Sequence, residues 1–144
     1  MDVEAIFDAM PFARLVGIEV TDASDGHATG RLELTAEHSS MPERVVGHGG
    51  VAYALADTIG GAAVMSLNRR ATPTVDMRID YLAPATVDLR AEADVVRNGD
   101  GVAVVEVSVT DVEGTHVADA RGVYKTGGGD AASAWHDGRD AHNG

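Results

Sequence analysis

The sequence predicts an α+β domain in which a curled antiparallel β-sheet wraps around one long central α-helix. Three observations carry that expectation. The stretch from His48 to about Leu67, HGGVAYALADTIGGAAVMSL, is dominated by helix formers and is apolar on every face, the pattern of a helix buried all round. The segments before and after it alternate apolar and polar residues with period two, as half-buried antiparallel strands do. The chain of 144 residues is the size of one domain with one core. A flat sheet cannot surround a helix, so the sheet must curl, and the helix face left over must meet a second copy of the molecule.

Taken in order, residues 2 to 10 carry Val3, Ile6, Phe7 and Met10 at helical spacing, which predicts a short packing helix ended by Pro11. A strand from Leu15 to Val20 leads to a polar turn at Asp22 to Gly26. From His27 to Glu37, Ala28, Gly30, Leu32, Leu34 and Ala36 share one face and Thr29, Arg31, Glu33, Thr35 and Glu37 the other, predicting a second strand. After a loop, the central helix and the polar link 68 to 73, alternating runs begin at Val75 and Val87. The turn Asn98-Gly99-Asp100-Gly101 is a hairpin signal. Alternation resumes at Ala103, and a closing strand from Thr115 to about Thr126 presents the small residues Ala118, Ala120 and Gly122. The strands after the helix read as a meander. From Gly127 onward the chain is Gly-rich and polar with a lone Trp135, predicting a flexible tail beyond a 1–126 domain.

Composition narrows the function. The absence of cysteine removes disulfides, thiol catalysis and thiolate metal sites. A net charge of −12 disfavours nucleic acid and anionic membrane as partners, because both require a basic surface. The N-terminus lacks a signal pattern and no apolar run reads as long enough to span a bilayer, so a cytoplasmic protein is expected. One Lys (Lys125) against ten Arg, with abundant Asp, suggests a surface suited to high salt, as in a halophile. The histidines show no paired metal spacing, so no metal is expected.

The chemistry concentrates on the helix. Gly49-Gly50 opens it, and exposed N–H groups at a helix start, beside glycines that permit close approach, suit a developing oxyanion. Such a pair is equally a tight turn into a buried helix. Asp57 is the one carboxylate in the segment, and burying it has a cost unless it is hydrogen-bonded or working. It reads either as a nucleophile or general base, or as an acid bonded to a neighbouring Ser, Thr or backbone group. Eight residues separate Gly49 from Asp57, about 12 Å along the axis, so one carbonyl cannot touch both within one chain. If they cooperate, they come from two antiparallel helices across a two-fold axis. His48 either positions the loop or acts as a base; Thr74 either orients water or is simply a β-former at a strand start. Arg69 and Arg70, past the helix, either complement its dipole or contact a phosphate. Gly60-Gly61 marks close packing.

HGGVAYALAD, followed by TVDMRIDYLAPA and LRAEADVVRNGDGVAVVEVSVTD, resembles the hotdog-fold acyl-CoA thioesterases of the PaaI-like group, the phenylacetic acid degradation type. The likeness runs from roughly Phe12 to Thr126, with HGG, the Asp nine positions after the His, and Tyr81 to Pro84 in register. The resemblance implies a homo-oligomer, dimer or dimer of dimers, with coenzyme A at subunit interfaces as part of the substrate and no separate cofactor. It implies Asp57 as the catalytic carboxylate, Gly49 as the oxyanion amide with Gly50 beside it, His48 shaping the site, and Thr74 assisting. One departure stands out. Where the family usually has Asn or another amide, six residues before the HGG histidine, this chain has Pro42, flanked by Met41, Glu43 and Arg44, and Ser40 or Glu43 is the candidate replacement. The expected activity is hydrolysis of acyl-CoA to free acid and coenzyme A. The alternatives are a hotdog hydratase or dehydratase acting on enoyl or 3-hydroxyacyl thioesters, and a non-catalytic acyl-CoA-binding module.

Overall fold

The computed structural model describes residues 1–127. The elements are α1 (Val3–Asp8), α2 (Pro11–Val16), β1 (Ile18–Ser24), β2 (His27–Leu32), a 3-10 turn (Ala36–His38), α3 (Gly49–Asn68), β3 (Thr74–Tyr81), β4 (Leu89–Asn98), β5 (Val102–Asp111) and β6 (His116–Lys125). Six antiparallel strands form one sheet in the order β1-β2-β4-β5-β6-β3, and α3 packs against it. Apart from Gly127 itself, the tail expected from Gly127 onward lies outside the described residues.

The core is the meeting of two apolar patterns. Leu55, Ala56, Ile59, Ala62 and Ala63 of α3 are fully buried, as are Ala28, Leu89, Ala93, Ala103, Val105, Val109 and Ala118 on the strands. Small residues on the strands bring the sheet close to the helix. At Gly30 the approach is so close that any side chain would overlap Ile59 Cδ1.

Several expectations are corrected. Pro11 does not merely end the first helix; it occupies the first turn of α2, where its missing N–H is no loss. Gly17, in the left-handed region at φ 91°, caps that helix through its N–H to Ala13 O at 2.8 Å. Leu15 and Val16 are therefore helical, and β1 starts at Ile18. The first hairpin turns on Asp25 (φ 51°) and Gly26 (φ 80°), a tighter reversal than the five-residue turn expected. The second strand stops at Leu32, where the chain leaves the sheet for the 3-10 turn. The later strands are not a simple meander: β3 lies beyond β6 at the sheet edge, and β4 pairs with β2.

Helix α3 also corrects two readings. By length and apolar composition alone its 20 residues could cross a membrane, which the interrupting Asp57 and small residues concealed in the sequence. Its apolar surface is instead taken up by the sheet, with 61% of the most apolar window buried inside the protein. Nor is it buried all round: eleven residues are buried, while Tyr53 is 37% exposed and Asp57 is half-buried. That stripe is the face left over.

Candidate active site

The N-terminus of α3 is built by its own capping residue. His48 has extended backbone, and its Nδ1 accepts the Gly50 N–H at 2.8 Å while its carbonyl accepts the Val51 N–H at 2.9 Å. Two of the donors that every helix start leaves unpaired are thereby satisfied. As an acceptor, Nδ1 carries no proton, so His48 works here as a neutral cap. The Gly49 N–H donates to no described residue. Gly49 and His48 line a cavity of about 380 Å³ whose other walls include Ala52, Tyr81, Pro84 and Val117. From the opposite side the Tyr81 hydroxyl donates to Gly49 O at 2.7 Å, and a Cβ at Gly49 would stand 3.2 Å from that hydroxyl.

Eight residues along the same helix sits Asp57, about 12 Å away along the axis. Two hydroxyls converge on its Oδ1. Thr74 Oγ1 donates at 2.7 Å, and the Tyr124 hydroxyl lies 3.0 Å away, sharing its hydrogen with Asp57 main-chain O at 2.7 Å. Among the described residues nothing donates to Oδ2. The carboxylate is thus held by one oxygen and open at the other.

Sheet register brings the two hydroxyls together. Thr74 of β3 faces Tyr124 of β6, and the ladder slips between Thr74 and Asp76, a bulge around Val75. Strict alternation would put Thr74 on the outer face with Asp76 and Arg78. The extra residue returns it to the face of Met77, toward the helix. Tyr124 is 1% exposed, and its ring has room because Gly60 and Gly122 have no side chains: a Cβ at Gly60 would meet the hydroxyl at 2.7 Å, and one at Gly122 would meet Cε2 at 2.7 Å. Burial, reinforced by the negative charge of Asp57, pushes the Tyr124 phenol well above its ordinary range, so it remains a neutral donor. Tyr53 is raised by the same two causes in the same order, with a further push from Asp76.

Neither Tyr124 nor Tyr81 was expected at the site from the sequence, although Tyr81 lies in the stretch that carries the family resemblance. Tyr124 continues the inward positions Ala118, Ala120 and Gly122 by one more step of two, and that run of small residues ending in an aromatic was the available signal.

The remaining predicted residues stand apart from Asp57 within one chain. Ser40 and Glu43 are exposed in a loop closed at its base by the Ser39–Gly47 bridge. Ser39, not Ser40, organises that loop: its Oγ accepts the Met41 and Val46 N–H groups at 3.0 Å and lies 2.8 Å from the Met41 and Arg44 carbonyls. Pro42 is exposed in the same loop. Arg69 caps the far end of α3 in the left-handed region, its N–H bound to Met65 O at 2.8 Å and its guanidinium 3.4 Å from Met1 O. Arg70 is exposed beside it. Both lie about 18 Å or more along the axis from Asp57.

Sequence spacing also missed a cross-strand group on the outer sheet face. His27 of β2 pairs with Asp94 of β4 at 2.8 Å, and with Glu92 their ligand-capable atoms lie within 4.8 Å of one another. The hydrogen bond to Asp94 raises the His27 pKa against a smaller opposing effect of burial.

A model of the thioesterase superfamily matches residues 46–118, from the loop before α3 into β6 and just over half of the chain. A candidate esterase of Halobacterium salinarum is 37% identical over 136 residues, covering 85% of this chain and 89% of its own. The solved Escherichia coli PaaI protein of the phenylacetic acid degradation operon superposes with a TM-score of 0.78 at 27% identity, over 87% of this chain and 90% of that one. A Streptococcus pneumoniae thioesterase protein solved with coenzyme A gives 0.73 at 25% identity, over 85% and 96%. The chain belongs to the thioesterase superfamily, with the hotdog fold. Its relatives support hydrolysis of an ester or thioester.

Proposed function

We propose that this protein is a homo-oligomeric acyl-CoA thioesterase with Asp57 as its catalytic carboxylate. The observation that carries the reading is the pairing, on one helix, of an Asp57 oxygen and a Gly49 N–H beside a cavity, neither of which has a hydrogen-bond partner among the described residues. They lie too far apart to share a carbonyl in one chain. Across a two-fold axis relating antiparallel α3 helices, Asp57 would face Gly49 of the partner subunit. The point midway between them is Tyr53, on the exposed stripe of α3. The neighbouring edge strand β3 exposes Val75 (61%) and Tyr81 (53%), consistent with self-association there.

The Gly49 amide of the partner subunit then donates to the thioester oxygen and stabilises the charge that develops on it. Asp57 Oδ2 either adds to the carbonyl carbon or removes a proton from a water that adds. The tetrahedral oxyanion collapses, the C–S bond breaks, and coenzyme A leaves as thiolate, which needs no dedicated acid. In the covalent route water then cleaves the mixed anhydride, releasing the acid and restoring Asp57. That a relative was solved with coenzyme A supports this class of leaving group. Arg69, Arg70, Ser40, Glu43 and Gly50 remain proposed contacts of the substrate.

The test is release of free thiol from a panel of aryl and medium-chain acyl-CoA thioesters, with an enoyl-CoA hydration assay alongside. Thiol release by the wild type and its loss in Asp57→Ala, with the oligomer intact, is expected. Undiminished turnover in that variant, hydration in place of hydrolysis, or acyl-CoA binding without thiol release would overturn the reading.

A further inference from the structure

We propose that Tyr124 is a positioning residue for Asp57: its hydroxyl and that of Thr74 pin Oδ1, which aims Oδ2 at the substrate. The inference rests on the catalytic role proposed for Asp57.

The geometry argues for more than packing. An Asp side chain on a helix rotates about two bonds, and one hydrogen bond to a carboxylate leaves it free to swing. Two donors from neighbouring strands at a single oxygen fix both rotations. Tyr124 arrives from β6 and Thr74 from β3, opposite one another in the ladder, so the sheet sets their separation. The site is also cleared for the ring. Gly60 and Gly122 stand where side chains would strike the hydroxyl and the ring edge, which accounts for a helix-interior glycine whose propensity cost is otherwise unexplained. The phenol stays neutral and so keeps the hydrogen that it donates toward the carboxylate. Among the described residues, Thr74 on β3 also donates to the carboxylate, and Tyr53 on α3 feels its charge together with that of Asp76.

A purely structural role is the competing account, in which the hydroxyl braces only the Asp57 main-chain carbonyl, its nearer acceptor at 2.7 Å. Tyr124→Phe separates the two, because it keeps the ring and removes only the donor. The expected result is a fall in kcat of about ten-fold or more with KM within about two-fold. The acid limb of the kcat/KM profile should move to higher pH, since the carboxylate loses a hydrogen bond to its charged form. The same upward displacement should appear in a 13C NMR titration of the Asp57 carboxyl carbon, which needs no turnover. An unchanged Asp57 titration, with or without a change in melting temperature, would overturn the proposal. Should the Phe variant not fold, 3-fluorotyrosine at position 124 keeps the ring and strengthens the donor, and must displace the titration to lower pH. Failure of the wild type to hydrolyse any thioester would contradict the proposed function alone, because the NMR arm still decides the role of Tyr124.

Discussion

Thr74 and Tyr124 face each other across the β3–β6 ladder and direct their hydroxyls to the same oxygen of Asp57. This relationship depends on the bulge at Val75, which turns Thr74 inward. Thr74→Val keeps the branched shape and removes the donor, so it should lower kcat by about ten-fold or more while Thr74→Ser retains most of it. Steady-state kinetics of the two variants, with circular dichroism to establish the fold, check the expectation.

Adjacent glycines on α3 should respond in opposite directions. A Cβ at Gly60 would stand 2.7 Å from the Tyr124 hydroxyl and 3.1 Å from Val105 Cγ1, whereas one at Gly61 makes ordinary contacts at 3.4 and 3.9 Å. Gly60→Ala should therefore destabilise by about 1–3 kcal/mol, overpacking outweighing helix propensity. Gly61→Ala should leave stability unchanged or raise it by up to about 1 kcal/mol. Urea denaturation of both variants measures the difference.

Removing the cap of α3 is testable independently of activity. His48→Ala deletes the acceptor for the Gly50 N–H and should cost about 1 kcal/mol, while His48→Asn, a good capping residue, should recover most of it. Equal losses in both variants would place the role of His48 elsewhere.

The His27–Asp94 pair sets a pH dependence whose sign is fixed. The folded pKa of His27 is raised above its ordinary value of 6.5, so the stabilisation is fully present below that value and is lost as pH rises through the higher folded value. The pair is well solvated, so the effect should be on the order of 0.5 kcal/mol or less and smaller still in high salt. Melting temperature across this window, compared with His27→Gln, tests it: the variant should lose this part of the slope.

The fold was legible because its two determinants are local patterns: helix formers without a polar face, and period-two strands with small inward residues. What escaped follows from physics that a linear pattern does not carry. Pro11 and Gly17 act as start and stop of a helix that the apolar spacing around Leu15 disguised as a strand. The place of β3 beyond β6 is a long-range choice that a run such as Val75 to Tyr81 cannot encode. At the site, the Gly49–Asp57 separation was readable from helical rise, and Thr74 was named. The bulge that aims Thr74 and the partnership with Tyr124 exist only in the register between strands 50 residues apart in sequence. His27, Glu92 and Asp94 gather for the same reason.

The central claim is that each active site takes Asp57 from one subunit and the Gly49 amide from the other. Mixing two inactive variants tests it most directly. Asp57→Ala removes the carboxylate, and Gly49→Pro removes the N–H at a helix position where proline is tolerated. When the two proteins are unfolded, mixed in equal amounts and refolded, a composite site predicts that half the dimers are mixed and that each mixed dimer regains one intact site. Activity should recover to about a quarter of wild type. No recovery, with mixed dimers demonstrated by mass spectrometry, would contradict the account.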